Sequence, residues 1–326
     1  MPSSKIPQKR ISRFLIALSA LGGFALVGEM AARYVLGLGT PPLYVADPLT
    51  EYRLKPSQQL RRFGNHIEVN RFSMRSKPLA SNARGQRRVL VFGDSVVWGG
   101  NQLDQSLIAT ELLSEPGIIE VGNVSAGSWG PGNMLGYAKR FGFLDATDVV
   151  LVISSHDAAD NPSPAPFRGD LNRPLESPPS AFVEGVQRYL LPRLGVRLAP
   201  SPAPSSSAGA EPPPAKPTTA TDPRVQQALS DLRAFLTLAR ASGARLVAVQ
   251  FANREEARSG QLQLGNQWIA KVLRQERIPS LQTGPVFRSC GPIDSLYTDG
   301  IHPYTAAGQA CLAKAIEQAL QLQRSN

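Results

Sequence analysis

Three short, largely apolar runs limit the fold of this chain more than any other feature: Val89–Phe92, Val149–Ile153 and Leu246–Phe251. They are dominated by valine, isoleucine and leucine with no sustained polar alternation, which suits strands covered on both faces. Segments with helical spacing of apolar residues stand between and after them, at Gln102–Leu113, Met134–Phe143, Val225–Ala241, Gln261–Glu276 and Ala306–Leu322. Two further short strands are predicted at Gly117–Val121 and Ser280–Gln282. Strands alternating with helices build a parallel sheet, because each return to the same edge needs a crossover, and the crossover helices cover both faces. The predicted class is α/β, a three-layer sandwich with a parallel sheet flanked by helices.

The start of the chain is of another kind. Lys5, Lys9, Arg10 and Arg13 precede an apolar run from Phe14 to Gly28, with Glu29 and Arg33 before a further apolar stretch to Leu38. A basic start followed by an apolar run reads as a secretory signal or an uncleaved anchor. The uncharged part alone falls short of the roughly 20 residues a spanning helix needs. Glu29 and Arg33 sit one helical turn apart and can pair, so the span can continue through them to Leu38. No small-x-small cleavage site stands out, and we expect an anchor with its positive end inside and the remaining chain outside. The organisation expected is a basic tail and membrane anchor or signal over 1–38, a connector and N-terminal extension over 39–80, and the α/β domain over 81–326. That domain carries a proline-rich insertion at about 161–222, in which Ala199–Thr221 has too little apolar bulk to offset its chain entropy and is expected to be disordered.

Composition removes several functions. The net charge of +10 is mostly scattered arginine, with no basic stripe interleaved with aromatics, so no nucleic-acid partner is expected. With two cysteines and three histidines, and no pair at metal-ligand spacing, no metal site and no cofactor is expected. Cys290 and Cys311 could form a disulfide outside the cytoplasm, or remain two separate buried thiols.

The first apolar strand stops at Gly93-Asp94-Ser95, with a second glycine at Gly99. Ligands in open α/β sheets collect beyond the carboxyl ends of strands, so Ser95 is a candidate nucleophile. A serine at such a turn is more commonly a helix cap, and on this stretch alone that reading leads. The decisive partner lies near the other end of the chain, in Tyr297-Thr298-Asp299-Gly300-Ile301-His302-Pro303. An Asp three residues before a His can hold one ring nitrogen and leave the other facing outward as a base.

Together these segments resemble the GDSL, or SGNH, hydrolase family, in the arrangement of a membrane-anchored bacterial member. Gly93–Gly99 matches the first family block, with the nucleophile Ser95. Asn123-Val124-Ser125-Ala126-Gly127 resembles the second, whose glycine amide serves the oxyanion hole. Val149–Asp157 stands where the third block belongs, and Asp299–His302 matches the last. Asn70–Arg75 also resembles a segment that precedes the first block in many secreted or anchored members, with Ser73 where a glycine usually stands. The resemblance implies the flavodoxin-like SGNH hydrolase fold. It also implies the triad Ser95, His302 and Asp299, with an oxyanion hole from the amides of Ser95 and Gly127.

Two departures stand out. The second block is one residue short, which leaves Ser128 as an alternative to Gly127. In the third block Ser154-Ser155-His156-Asp157 replaces Gly-x-Asn-Asp, so His156 takes the place of the oxyanion asparagine, with Asn161 as a second candidate. Trp98 and Trp129 could line a substrate cleft or simply pack. The resemblance implies a serine esterase acting outside the cytoplasm, with removal of acetyl groups from an envelope or exported polysaccharide as the leading substrate. Acyl transfer onto such a polysaccharide, a lipid esterase or thioesterase, and a silent glycan-binding scaffold are the alternatives.

Overall fold

The structure, a computed structural model, describes residues 8–80, 86–195 and 217–322. The stretch expected to be disordered, Ala199–Thr221, lies outside the described residues as far as Lys216. The described residues separate into two compact units: 8–41, 61–64 and 176–195 form one, and 42–60, 65–80, 86–175 and 217–322 form the other.

In the first unit, helix α1 runs over Gln8–Met30 and continues through a wider turn, Ala31–Val35. Leu15–Val35 is 21 residues long with a mean hydropathy of 1.8, long and apolar enough to cross a membrane. The helix passes through both charges, and Arg33 pairs with Glu29 at 2.6 Å across one turn.

The second unit begins where a connector was expected. Residues 42–69, of which 61–64 belong to the first unit, carry strands β1 (Tyr44–Asp47), β2 (Glu51–Leu54), β3 (Gln58–Arg62) and β4 (Asn65–Val69), in two two-stranded sheets. Asp47 makes the first turn: its Oδ1 accepts the N–H groups of Leu49 and Thr50, while Arg53 and Arg140 pair with its other oxygen at 2.9 and 2.7 Å. Charge pairing and these amides hold its carboxyl below the usual range despite burial.

The main sheet has five parallel strands, β5 (Arg87–Gly93), β6 (Ile119–Ser125), β7 (Asp148–Ser154), β8 (Arg245–Phe251) and β9 (Ser280–Gln282), in the order β6-β5-β7-β8-β9. The helices that matter here are α2 (Ser95–Trp98), α3 (Pro131–Phe141), α4 (Pro223–Ala241), α5 (Leu264–Gln275), α6 (Thr283–Cys290) and α7 (Ala306–Leu322). Successive strand residues point to opposite faces. Leu90, Phe92, Leu151, Ile153 and Leu246 therefore pack with α3, α4 and α5. Val89, Val91, Val150, Val152, Val247 and Val249 pack with α6 and α7 on the other side. This is the three-layer α/β arrangement expected. Cys290 and Cys311 form a disulfide between α6 and α7.

Gln102–Leu113, expected as one helix, is instead a short turn of 3₁₀ helix at Gln105–Leu107 and a single helical turn at Ala109–Leu112. Ile108 between them is extended, because Gln105 turns inward to bond Arg75 and Glu111. Arg75 is fully buried. It donates to the carbonyls of Trp98 (2.7 Å), Gly100 (2.5 Å) and Leu103 (2.7 Å), and its guanidinium lies 4.9 Å from the Trp98 ring centroid. It so fixes the loop that follows α2. Burial pulls its pKa down to about 10. The turn that delivers it explains the family's glycine: Ser73 has φ +63°, in the left-handed region that glycine favours.

Arg75→Met should strand those carbonyls in a dry interior, at a cost of about 1–3 kcal/mol for each group left unpaired. A denaturant titration should show a loss of about 3 kcal/mol or more, and an unchanged midpoint would refute the role.

Candidate active site

β5 ends at Gly93 because the chain must turn sharply into α2, and the turn leaves no room for a side chain. A Cβ on Gly93 would stand 2.3 Å from Val97 Cγ2. Asp94, not Ser95, caps α2: its Oδ1 accepts the Val96 N–H at 2.8 Å. Ser95 is the first helical residue, so its hydroxyl is free of capping duty.

The parallel register sets what lies beside it. Gly93 pairs with Ser125 on β6, so Ser95 and Gly127 each stand two residues beyond a paired position. Phe92 pairs with Leu151 on β7, which brings Ser154 and the turn Ser155–Ala158 to the same edge. β6 and β7 flank β5 on opposite sides, so the connections diverge here, the usual place for a ligand in a doubly wound sheet.

The Asp299–His302 turn closes over this edge. His302 Nε2 lies 3.0 Å from Ser95 Oγ, and His302 Nδ1 lies 2.7 Å from Asp299 Oδ2. Asp299 Oδ1 accepts the N–H groups of Ile301 (2.7 Å) and His302 (2.8 Å), which locks the turn. Partial burial raises the Asp299 pKa, but its bonds to His302 and these amides outweigh it, and the carboxyl stays below its usual range. A carboxylate on Nδ1 assigns the proton there and leaves Nε2 as the base toward Ser95.

Tyr304 was not singled out from the sequence. Its ring stacks on His302 with centroids 4.6 Å apart, and its hydroxyl donates to the Ser95 carbonyl at 2.9 Å. It ties the His302 turn to the start of α2, and only its place two residues after the histidine hinted at this.

The N–H groups of Ser95 and Gly127 make no hydrogen bond among the described residues, and the space beside the Gly127 Cα is open. The Gly127 carbonyl is held from behind by the Tyr52 hydroxyl at 2.7 Å. The alternative, Ser128, is exposed with φ +59°.

Other candidate side chains have their polar groups or surfaces engaged within the protein. His156 does not offer a free N–H: its Nε2 is 2.7 Å from Asp94 Oδ2, and its Nδ1 is 2.9 Å from Ser154 Oγ. Asn161, the second candidate, donates to the carbonyls of Ala159 and Arg224. Trp98 and Trp129 are buried, at 5% and 1% exposure, and pack in the core, the second of the two readings; the Trp129 N–H is spent on the Tyr52 carbonyl at 3.0 Å. Large rings beside the blocks fill the core under the turns rather than the opening above them.

His156, Asp94 and Asp157 bring their ligand-type atoms within 4.8 Å of one another. Burial opposes the charge on His156, but Asp157 and Asp94 overcome it and lift the imidazolium pKa to about 10. Burial together with Asp94 pushes the Asp157 carboxyl up to about 8, against the pull of His156. Both folded values lie above the unfolded ones, so both contributions fade as pH rises. For His156 the contribution is complete below about 6.5 and is lost through about pH 10. Stability measured by denaturant midpoint should therefore decline across the alkaline range. A wild-type midpoint that does not move over this range would contradict the pairing.

No family model matches the chain, and neither does any curated protein. Among solved structures it is similar to the psychrotrophic esterase EstA from Pseudoalteromonas sp., at 12% identity over 74% of this chain and 100% of that one, with a TM-score of 0.40. It is similar to TesA at 17% identity over 72% and 98%, with a TM-score of 0.41. It is also similar to a catalytic mutant of an acetylxylan esterase from Geobacillus stearothermophilus, at 12% identity over 72% and 94%, with a TM-score of 0.42. Likenesses this distant leave the chemistry of the site to its own geometry.

Proposed function

We propose that the protein is a serine carboxyl-ester hydrolase of the GDSL/SGNH kind. The observation that carries this is the unbroken chain from Ser95 Oγ through His302 to Asp299, at 3.0 and 2.7 Å. In it, Ser95 Oγ attacks the ester carbonyl while His302 Nε2 takes its proton. The backbone amides of Ser95 and Gly127 receive the developing oxyanion. The tetrahedral intermediate collapses, the alcohol leaves with the proton from His302, and acyl-Ser95 remains. Water, deprotonated by the same nitrogen, then attacks the acyl carbonyl, and the acid is released as His302 returns that proton to Ser95 Oγ.

The N-terminal segment supports a single-pass anchor in the inner membrane with the catalytic domain in the periplasm, since Lys5, Lys9, Arg10 and Arg13 mark the cytoplasmic end. The Cys290–Cys311 disulfide suits an oxidising compartment. The substrate we assign is an acylated, most simply acetylated, carbohydrate of the envelope or of an exported polysaccharide. That choice rests on the family resemblance and the anchor. The buried tryptophans contribute nothing to it.

Full-length protein in detergent should hydrolyse p-nitrophenyl acetate. Ser95→Ala and His302→Ala should each lower the rate by about 10⁴-fold or more, and Asp299→Asn by about 10⁴-fold through loss of the imidazole tautomer. Equal rates for wild type and Ser95→Ala would end this reading. With an acetylated oligosaccharide, acetate should appear in water; acetate appearing on an added oligosaccharide acceptor instead would make the enzyme a transferase.

A further inference from the structure

Within the first unit, a short helix is fastened to the apolar helix at a defined height. Glu29 lies inside Leu15–Val35, about 9 Å below its end at 1.5 Å per residue. Beyond its pair with Arg33, it accepts the backbone N–H groups of Ala181 (3.1 Å) and Phe182 (2.9 Å) and the Ser180 hydroxyl (2.8 Å). These are the opening donors of the helix Ala181–Gly185, so a residue of the apolar helix satisfies the start of a segment 150 positions away in the chain. The Phe182 ring lies against Gly28, where an added Cβ would stand 2.9 Å from it. One turn on, Glu184 accepts the Gly39 N–H at 2.6 Å and pairs with buried Arg62. The exit of α1 and the start of this helix are therefore one packed unit.

The helical run continues through a wider turn, Val186–Leu190, to Arg193. Phe182, Val183, Leu190 and Leu194 are exposed, Leu190 by 50% and Leu194 by 65%. Arg188 and Arg193 lie along the same run; Arg188 pairs with Glu184 at 3.8 Å, and Arg193 is exposed. A helix facing water presents polar groups; this one presents apolar side chains with basic residues among them, as helices at a membrane surface do.

We infer that the segment from Phe182 to Leu194 lies in the outer-leaflet interface of the same bilayer that Leu15–Val35 crosses. Its exposed apolar side chains reach among the lipid chains, and Arg193 extends to the headgroups. The inference rests on the anchor reading. It commits to phospholipid as the occupant because the start of the segment is pinned to Glu29. That height matches the roughly 5–10 Å to which such helices sink below the headgroup boundary. The membrane would thus hold this unit by a spanning helix and by a second, shallow contact.

The test uses full-length protein in phosphatidylcholine–phosphatidylglycerol vesicles. A polarity-sensitive dye is placed on one added thiol, at Leu190→Cys or Leu194→Cys. Phe24→Cys reports the span itself and Lys314→Cys reports the exposed face of α7. The native cysteines are paired, so the added thiol is the single target. Dyes at 24, 190 and 194 should be quenched severalfold more by nitroxide-bearing phospholipid than by aqueous iodide, and the dye at 314 should show the reverse. Quenching by lipid at 24 with quenching by iodide at 190 and 194 would overturn the interfacial placement and leave the anchor standing. Shielding of 190 and 194 from both quenchers would mean cover by protein, such as a second copy, and would equally overturn it. Absence of lipid quenching at 24 would remove the anchor, and the interfacial segment with it.

Discussion

The contact between Ser95 and His302 joins points 207 residues apart in the chain, and everything else at the site depends on its being made. It is held from both sides. On the serine side, Gly93 permits the sharp turn and Asp94 takes over the capping that a serine would otherwise perform. On the histidine side, the Asp299 carboxylate binds the amides and the ring of its own turn. Tyr304 then bonds one side to the other. A hydroxyl and an imidazole held at 3.0 Å by these contacts are preorganised for proton transfer.

The parallel sheet was legible because its strands are nearly pure apolar runs. Arg245–Phe251 and Ser280–Gln282 are strands where the residues suggested, and the last helix begins at Ala306 as expected. The strands within the connector and N-terminal extension were less legible for a physical reason. Residues 42–69 form strands of four or five residues, too short and too mixed for alternation to show, and their turns depend on Asp47 bonding to its own neighbours. The same limit applies at Arg75, whose burial is made possible by three carbonyls that no side-chain pattern reveals. At the site, Ser95 and the Asp299–His302 turn were visible as short motifs, while Tyr304 and the Asp94–His156 pair depend on how separate loops converge.

His156 shows how a substitution within a motif redistributes roles. An asparagine there could turn a neutral amide toward the oxyanion. A histidine next to Asp94 and buried Asp157 is drawn into an ion pair instead, and both ring nitrogens are used within the protein. Its charge balances a carboxylate that would otherwise stand unpaired beside the nucleophile. In the proposed reaction the oxyanion is then left to the backbone amides of Ser95 and Gly127, whose positions follow from the register of β5 and β6 and not from a side chain.

The central claim is that Ser95 is a nucleophile activated by His302. Reaction of the full-length protein with a fluorophosphonate, followed by peptide mass analysis, tests it without knowledge of the substrate. The account predicts one phosphonyl adduct, on the peptide holding Ser95, with its formation abolished in Ser95→Ala and strongly slowed in His302→Ala. An adduct on another residue, or equal labelling of Ser95 in the presence and absence of His302, would contradict it.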